Sequence, residues 1–358
     1  MRTMTTETLR LPLLYAPFEP AVHPEVRWLE QRAIEWVDAS GICAGTAERN
    51  RIVATRSSDF WARFVPHAAD RERLLTTTLW HYWGFGFDDA HCDSPPLNTR
   101  PDLFAALAGR VQRALEAPGS DSGGERYIPA LCDIAERMAQ AGPPEAFRRF
   151  VAGHRAWLSG VTWQIGNQAA NRRPGVDEYL AMRLLTSGGD ATFAMWELAT
   201  GIHVPGTEMH HPATRALTEM ATMVAALDND RHSLRKELDH QQSDQNIFTA
   251  LIQDRQLTLQ AAVHEGNRLR DRILLRFCRL RQAVRPRAGQ ELNAYLDGLC
   301  HGIRGNAEWG QRVPRYLDPA TGPDGEEPDI AWAEHSADNS LAPLPFPSIT
   351  WWWDRHLA

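Results

Sequence analysis

Two groups of oxygen-bearing side chains follow apolar helical stretches, and both have the spacing of metal ligands. In the first group, Asp88, Asp89 and Asp93 end the segment that runs from Asp70 to about Asp93. Asp89 and Asp93 are four residues apart and would share a helix face, with Asp88 at its border. Such a carboxylate cluster is costly beside an apolar segment unless a cation neutralises it, and Mg²⁺ bound with substrate phosphates suits these ligands. Taken alone, the group is also compatible with a polar helix end that faces water.

The second group lies further along the chain and repeats this design. Asn229, Ser233 and Glu237 are spaced at i, i+4 and i+8, so an amide, a hydroxyl and a carboxylate point the same way from one helix. These oxygens could hold a hard cation whose other ligands are water and diphosphate. Lys236, the only lysine among 38 basic residues, lies inside the group and could contact a diphosphate oxygen. The alternative is a solvated helix face of mixed charge.

The elements that must position these groups are predicted to be helices. Helical periodicity recurs along the chain, whereas alternating β-branched runs with hairpin turns are scarce. The glycines of Ser187-Gly188-Gly189 should break a helical run. The predicted helices are Glu25–Ala39, Asp70–Asp93, Phe104–Leu115, Tyr127–Gln140, Pro144–Gln168, Val176–Thr186, Asp190–Thr200, Ala213–Asp239, Asn246–Glu265, Arg268–Val284 and Gln290–Gln311.

Composition limits the class of protein. The chain has 358 residues, 43% of them hydrophobic, and a net charge of −7, which gives a nucleic-acid-binding role no support. No apolar stretch is long enough for a membrane span, and the first residues do not have the pattern of a signal peptide. The five cysteines are scattered without a CxxC pair, which predicts a cytoplasmic protein without a disulfide framework.

We predict one large all-α domain over residues 1–316, followed by a tail. Residues 317–358 are rich in Pro, Gly, Asp and Glu and are predicted to be mostly irregular. The tail ends in the aromatic cluster Trp351–Trp353, which could dock on the body or serve as an interaction surface.

Taken together, the two polar groups resemble the motifs of the bacterial class I terpene synthases, also called terpene cyclases. Asn229, Ser233 and Glu237 match the family's N-D-x-x-S-x-x-x-E motif in full, and Asp88 takes the place of the first aspartate of D-D-x-x-D. The fifth position of that motif is Cys92 in this chain, and the third acid follows one residue later. This departure leaves open whether Asp89 or Asp93 contacts metal.

Three further matches strengthen the resemblance. Arg183 lies 46 residues before Asn229, where the family has its diphosphate-sensing arginine. Thr186, Ser187 and Gly188 then occupy the helix break, where the resemblance implies a linker at Thr186 and a backbone carbonyl at Ser187 aimed at the ionising carbon.

The third match lies near the end of the resemblance, which covers roughly Pro12 to Tyr316. Arg315 and Tyr316 correspond to the family's terminal Arg-Tyr pair, which closes on the diphosphate, and Trp309 precedes them at the expected distance.

The resemblance implies a single-domain class I terpenoid synthase α-bundle with a central active-site cavity. Its expected activity is that of a lyase of bacterial secondary metabolism, which ionises a linear prenyl diphosphate with Mg²⁺, three ions in the family. The carbocation then cyclises to a sesquiterpene from farnesyl diphosphate or a diterpene from geranylgeranyl diphosphate. Family members are often homodimers, but the sequence does not decide this.

Five residues are predicted to line the substrate pocket: Trp80, Gly84, Phe85, Phe87 and Trp309. Aromatic faces can stabilise a carbocation without reacting with it. Gly84 stands one turn below Asp88, where many sesquiterpene cyclases have a bulky aromatic, so its missing side chain would deepen the pocket.

Two alternatives remain open at this point. A prenyl chain-elongating synthase shares the fold but would need two D-D-x-x-D motifs, whereas this chain has the Asn229, Ser233 and Glu237 motif instead. A non-catalytic helical protein that binds an isoprenoid, a relic of the family, would not need the complete set of metal and diphosphate residues.

Overall fold

The structure is a computed structural model that describes residues 9–120, 123–239, 245–316 and 330–357. The predicted all-α fold is confirmed, and no strand occurs in these ranges. The helices are α1 (Val26–Ser40), α2 (Thr46–Val53), α3 (Ser57–Phe64), α4 (Arg71–Phe87), α5 (Pro101–Glu116), α6 (Tyr127–Ala141), α7 (Pro144–Ala169), α8 (Val176–Thr186), α9 (Gly189–Thr200), α10 (Gly206–Met209), α11 (Pro212–Asp239), α12 (Ile247–Arg255), α13 (Leu259–Val284) and α14 (Gln290–Arg312). No described helix is both long and apolar enough to cross a bilayer.

The prediction of one helix over Asn246–Glu265 is wrong, because α12 and α13 are separate. Gln256 ends α12 in the left-handed region at φ 54°, which an α-helix cannot continue through. Asn246 and Thr258 then cap the starts of α12 and α13 by accepting backbone N–H bonds. The short helices α2 and α3 were also not predicted.

Helix α4 runs through the centre of the molecule and packs against α1, α3, α6 and α9. It begins at Asp70, whose carboxylate accepts hydrogen bonds from the backbone N–H groups of Glu72 and Arg73. Almost every side chain from Leu74 onward is buried, which explains why apolar residues surround this helix instead of forming one stripe.

Two glycines let α7 approach the chain at the junction of α8 and α9. A Cβ atom at Gly160 would lie 2.5 Å from the Cβ atom of Leu185, and one at Gly153 would lie 2.6 Å from the backbone nitrogen of Ala191. Larger side chains would push these helices apart, so the glycines set the position of the helix break.

Residues 9–16, which we call the N-terminal strap, cross the outer side of α11 and α14. Arg235 and Arg231 of α11 donate to the carbonyl oxygens of Leu9 at 3.1 Å and Pro12 at 2.8 Å. Arg304 of α14 donates to the carbonyl oxygen of Ala16 at 3.2 Å. The face of α11 that holds the strap is therefore opposite to the one that carries the predicted metal ligands.

The described part of the tail, residues 330–357, is irregular apart from two short 3₁₀ turns, and it packs on the body. Trp352 is fully buried, and its indole N–H donates to Glu219 of α11 at 2.9 Å. The backbone N–H of Ala333 donates to the carbonyl oxygen of Leu14 at 2.9 Å, which joins the tail to the N-terminal strap. The predicted tail residues 317–329 lie outside the described residues.

Candidate active site

A cavity of about 280 Å³ lies between α3, α4, α7, α8, α9, α11 and α14. Its volume is close to the lower end for small-molecule sites, roughly 300 Å³. Its apolar walls are mainly aromatic, whereas its polar end carries the groups predicted to bind metal and diphosphate. The phenylalanine and tryptophan residues that line it are Phe60, Phe64, Trp80, Phe85, Trp157, Phe193 and Trp309.

A π-helical turn at the end of α4 absorbs the extra residue of the first motif. The turn spans Asp88–Cys92, and the backbone N–H of Asp93 donates to the carbonyl oxygen of Asp88 at 3.0 Å, five residues back. A wider turn brings residues at i and i+5 onto one face. Asp88 and Asp93 accordingly line the cavity together, whereas Asp89 does not.

These two carboxyl groups lie close to each other, with Asp88 half-buried and Asp93 exposed at the mouth of the cavity, and the pKa of each is raised. Burial, with the charges of Asp93 and Asp89, raises the pKa of Asp88 to about 8. Burial also raises the pKa of Asp93, although Arg315 opposes the shift. A cation at this end of the cavity would restore the charged forms.

The second motif lies on α11 across the cavity, with its three side chains on one face. Asn229, Ser233 and Glu237 all line the cavity. The Ser233 hydroxyl donates to Glu237 at 2.5 Å, and Asn246 donates to the other oxygen of that carboxylate at 3.0 Å. Burial raises the pKa of Glu237 to about 7. Asn246, which also caps α12, therefore fixes the orientation of Glu237.

Arg183 joins α8 to this motif through two bonds. Its Nη2 donates to Oδ1 of Asn229 at 2.9 Å, and its Nε donates to Asp230 at 3.0 Å. The same Asp230 carboxylate accepts the Tyr179 hydroxyl at 2.5 Å. Asp230 thus positions Arg183 at the edge of the cavity, although it is not itself one of the three motif residues.

The Arg-Tyr pair after α14 reaches both motifs. Arg315 donates to both oxygens of Asp89, and Nδ2 of Asn229 donates to the Tyr316 hydroxyl at 2.7 Å. Lys236 also lines the cavity, and burial followed by the charge of Arg315 lowers its pKa. Four candidate diphosphate groups, Arg183, Lys236, Arg315 and Tyr316, therefore surround the same end of the cavity.

The junction of α8 and α9 leaves backbone carbonyls free beside the cavity. Gly188 takes φ +68°, which a residue with a Cβ atom rarely adopts, and a Cβ atom at Gly189 would lie 2.3 Å from Thr222. Within the described chain, neither the Thr186 nor the Ser187 carbonyl oxygen accepts a backbone hydrogen bond.

Most of the predicted pocket residues line the cavity, but Phe87 does not. The cavity is lined by Trp80, Gly84, Phe85 and Trp309. Phe87 instead stacks on Trp83, with centroids 4.9 Å apart, and is fully buried in the core, because it lies on the face of α4 turned toward α6.

Several residues that line the cavity were not predicted from the sequence, among them Phe60, His81 and Trp157. His81 could have been found, because it lies on the same face of α4 as Gly84, Phe85 and Asp88. Phe60 and Trp157 come from helices that carry no polar motif, so nothing in the sequence marked them.

This chain matches a family model and is similar to known proteins along nearly its whole length. The family model "Terpene synthase family 2, C-terminal metal binding" matches residues 79–274. Spiroviolene synthase from Streptomyces violens is 56% identical over 99% of this chain and 99% of its own length. Phomopsene synthase from Allokutzneria albata is 35% identical over 98% of this chain and 99% of its own length.

Solved structures give the same fold. The crystal structure of a protein obtained by ancestral sequence reconstruction is 58% identical, has a TM-score of 0.90, and covers 98% of this chain and 100% of its own. The crystal structure of α-eudesmol synthase has a TM-score of 0.73 at 22% identity, over 84% of this chain and 98% of its own, which shows a shared fold.

Proposed function

This chain belongs to the terpene synthase family, and we propose that it ionises geranylgeranyl diphosphate with Mg²⁺ and cyclises the resulting carbocation to a diterpene. Terpene synthases are lyases that act on prenyl diphosphates and release diphosphate, and the relatives support a cyclase over a chain-elongating synthase or a binding relic. The observation that carries the proposal is one cavity with aromatic walls and a polar end that collects both motifs.

The donor set fits magnesium. Within the described ranges, no three His, Cys, Asp or Glu side chains converge as a ready-made metal site. A cation would therefore rely on mixed oxygen donors, Asp88 and Asp93 from one side and Asn229, Ser233 and Glu237 from the other, with diphosphate and water as further ligands. We assign these five residues to Mg²⁺, with three ions as in the family. Bound Mg²⁺ neutralises the diphosphate and makes it a better leaving group.

The cationic groups at the polar end would bind the diphosphate and compensate the charge that develops as it leaves. Arg183, Lys236 and Arg315 would provide fixed positive charge, which has a large effect where a bound substrate displaces water. Tyr316 adds a hydroxyl that could donate to a diphosphate oxygen. Asp230 and Asp89 position two of these groups, Arg183 and Arg315, rather than contacting the substrate.

The helix break would face the ionising carbon. The free carbonyl oxygens of Thr186 and Ser187 carry partial negative charge, which stabilises an allylic cation as it forms. Gly188 permits the turn that exposes them. We assign Ser187 as the residue whose backbone carbonyl oxygen faces the ionising carbon, and Thr186 as the linker that joins α8 to it.

The apolar walls would exclude water and fold the chain. A cation that meets water is quenched to an alcohol, so a dry cavity is required for cyclisation. The aromatic faces of Trp80, Phe85 and Trp309 can stabilise positive charge along the path. The shape of the cavity decides which double bond meets the cation next.

The length of the substrate's prenyl chain is assigned from the space beside Gly84. A Cβ atom there would meet only the Trp80 ring, at 3.9 Å, so the cavity extends past this position. The added depth suits a C20 chain. Farnesyl diphosphate is the second candidate, because a relative from Streptosporangium roseum that is 29% identical is named as cyclising that substrate.

The organisation of the chain supports two further assignments. The body over residues 1–316 would hold the active site, and the tail that follows would cover the outer side of the body. The five cysteines are free, which supports a cytoplasmic location.

The test is incubation of the purified protein with geranyl, farnesyl and geranylgeranyl diphosphates, with and without Mg²⁺. Hydrocarbon extracts are examined by mass spectrometry, and released diphosphate is measured. We expect a cyclic C20 olefin that disappears without Mg²⁺. A cyclic product from farnesyl diphosphate alone would reject the chain-length assignment, and no diphosphate release from any substrate would reject the cyclase.

A further inference from the structure

A histidine lies in the wall of the cavity, at a depth where the cyclase chemistry above assigns no polar group. His81 is on the face of α4 that also carries Gly84, Phe85 and Asp88 into the cavity, and it is 3% exposed. It lies seven residues before Asp88, which corresponds to roughly 10 Å along a helix. It therefore faces the hydrocarbon end of a bound substrate and not its diphosphate.

The hydrogen bonds of the ring fix its tautomer. Nδ1 lies 3.0 Å from the carbonyl oxygen of Thr77. Because a carbonyl oxygen can only accept, Nδ1 carries the hydrogen and Nε2 has a free lone pair. Nε2 is buried and has no hydrogen-bond partner in the described part of the chain. Burying a hydrogen-bond acceptor without a partner costs free energy of folding, so a functional role for Nε2 would explain why it is retained.

Aromatic rings surround the imidazole and keep it neutral. The ring centroids of Trp61, Phe60 and Trp80 lie 4.5, 5.2 and 5.4 Å from that of His81. Burial lowers the pKa of His81 to about 3. The free ring is therefore a neutral base at any pH at which the enzyme would work.

We propose that Nε2 of His81 accepts the proton that the cyclised carbocation loses at the end of the reaction. A C–H bond next to the cationic carbon breaks, its electron pair forms the C=C bond of the olefin, and the proton binds Nε2. After the olefin leaves and solvent enters the cavity, the imidazolium passes the proton to water, which restores the neutral ring. This inference rests on the proposed cyclase function.

The position of Nε2 favours proton transfer over alkylation of the ring. The rings of Phe60, Trp61 and Trp80 pack on the imidazole and hinder the approach of a carbon centre that would alkylate Nε2, whereas a hydrogen atom is smaller and would be hindered less. A carbocation is a much stronger acid than an imidazolium ion, so transfer is favourable even to so weak a base. Diphosphate at the other end of the cavity is too distant to take a proton from this part of the chain.

The test compares two variants of His81 with a matched control. His81→Asn retains a donor for Thr77, and His81→Phe retains the ring volume, but neither side chain has a basic nitrogen. His154→Phe is the control, since His154 is also fully buried, also has an unpartnered Nε2 and a pKa lowered to about 3, and also packs on Trp80, yet does not line the cavity.

The readout is the share of released diphosphate that is matched by the wild-type olefin. In both His81 variants we expect diphosphate release to continue while that share falls by about tenfold or more, with isomeric olefins or alcohols in its place. The control should keep the wild-type product. An unchanged product spectrum in His81→Phe would overturn the inference while leaving the cyclase function intact, whereas absence of diphosphate release by the wild type would reject the function itself.

Chemical rescue separates a base from a space-filling ring. In His81→Gly, added imidazole should restore the wild-type olefin, and pyrrole, which has a similar ring without a basic lone pair, should not. Equal rescue by both compounds would show that His81 only shapes the cavity and would overturn the proposal.

Discussion

The Arg315 guanidinium donates two parallel hydrogen bonds to the Asp89 carboxylate, at 2.7 and 2.6 Å. This pair ties the segment after α14 to the end of α4, where the first metal motif lies. It also explains why Asp89, a member of that motif, is turned away from the cavity. We therefore expect Asp89 to position Arg315, whereas Asp93 lines the cavity beside Asp88.

The first prediction concerns this pair. Arg315→Lys keeps the charge but cannot form the two parallel bonds, so we expect kcat/KM to fall by about tenfold or more. The measurement is steady-state diphosphate release. Arg285→Lys is the control, because Arg285 bonds Asp297 outside the cavity. Equal losses in both variants would contradict a specific role for Arg315.

The second prediction concerns the triad on α11. Asn229→Ala and Glu237→Ala should each lower turnover by at least about a hundredfold, because each removes a proposed metal ligand. Far-UV circular dichroism should show the wild-type helix content. Glu265→Ala, which alters a surface ion pair with Arg255, serves as the control. Near-wild-type turnover in either triad variant would reject the metal assignment.

The third prediction concerns the depth of the cavity. Gly84→Phe would place a ring in the space that now extends past Trp80. We expect kcat/KM for geranylgeranyl diphosphate to fall by about tenfold or more relative to that for farnesyl diphosphate. The two substrates are compared in competition with product analysis. An unchanged ratio would remove the structural argument for a C20 substrate.

The fourth prediction follows from Asp88. Its pKa is about 8 in the folded protein against an ordinary value of 3.8, so the folded state binds the proton more tightly. Stability from this group is therefore present below pH 3.8 and is lost as pH rises toward 8. Without metal, Asp88→Asn should melt above the wild type by a few degrees, about 2–4 °C, near pH 8, and by less near pH 5. Thermal melts at both pH values measure this.

Metal reverses that order. With Mg²⁺ and diphosphate the wild type should gain stability, whereas Asp88→Asn should gain little, because the cation stabilises the charged carboxylate. If Asp88→Asn were less stable than the wild type at pH 8 without metal, the raised pKa of Asp88 would be contradicted.

The fifth prediction concerns the tail. Trp352→Ala should destabilise the protein by about 3–5 kcal/mol, the usual cost of removing a buried tryptophan. Trp351→Ala is the matched control, since Trp351 is only half-buried and contacts Arg215 through its ring. Denaturant unfolding measures both. A similar small effect in the two variants would indicate that the tail does not stabilise the body.

The sequence predicted much of the fold and of the polar end of the site, because those parts depend on local rules. Helical periodicity identified α4, α7 and α11, and the i, i+4, i+8 spacing placed Asn229, Ser233 and Glu237 on one face. The break at Gly188 was visible because two glycines in a row interrupt a helix.

The remaining features depend on contacts between distant residues. The sequence does not tell which of Asp89 and Asp93 lines the cavity, because this depends on the π turn and on the bond from Arg315, which is 226 residues from Asp89. Phe87 was misplaced because α4 is apolar all round, so its pattern does not tell the cavity face from the core face. The division between α12 and α13 depends on the backbone conformation of Gln256, which propensity does not predict.

The N-terminal strap has a consequence for how the chain folds. Residues 9–16 contact Arg231, Arg235 and Arg304, which lie 219, 226 and 288 residues further along the chain from the residues they bond. The strap therefore stays without these contacts until α11 and α14 have been synthesised. Contacts of such large sequence separation form slowly, so docking of the strap belongs to the late steps of folding and completes the back of α11.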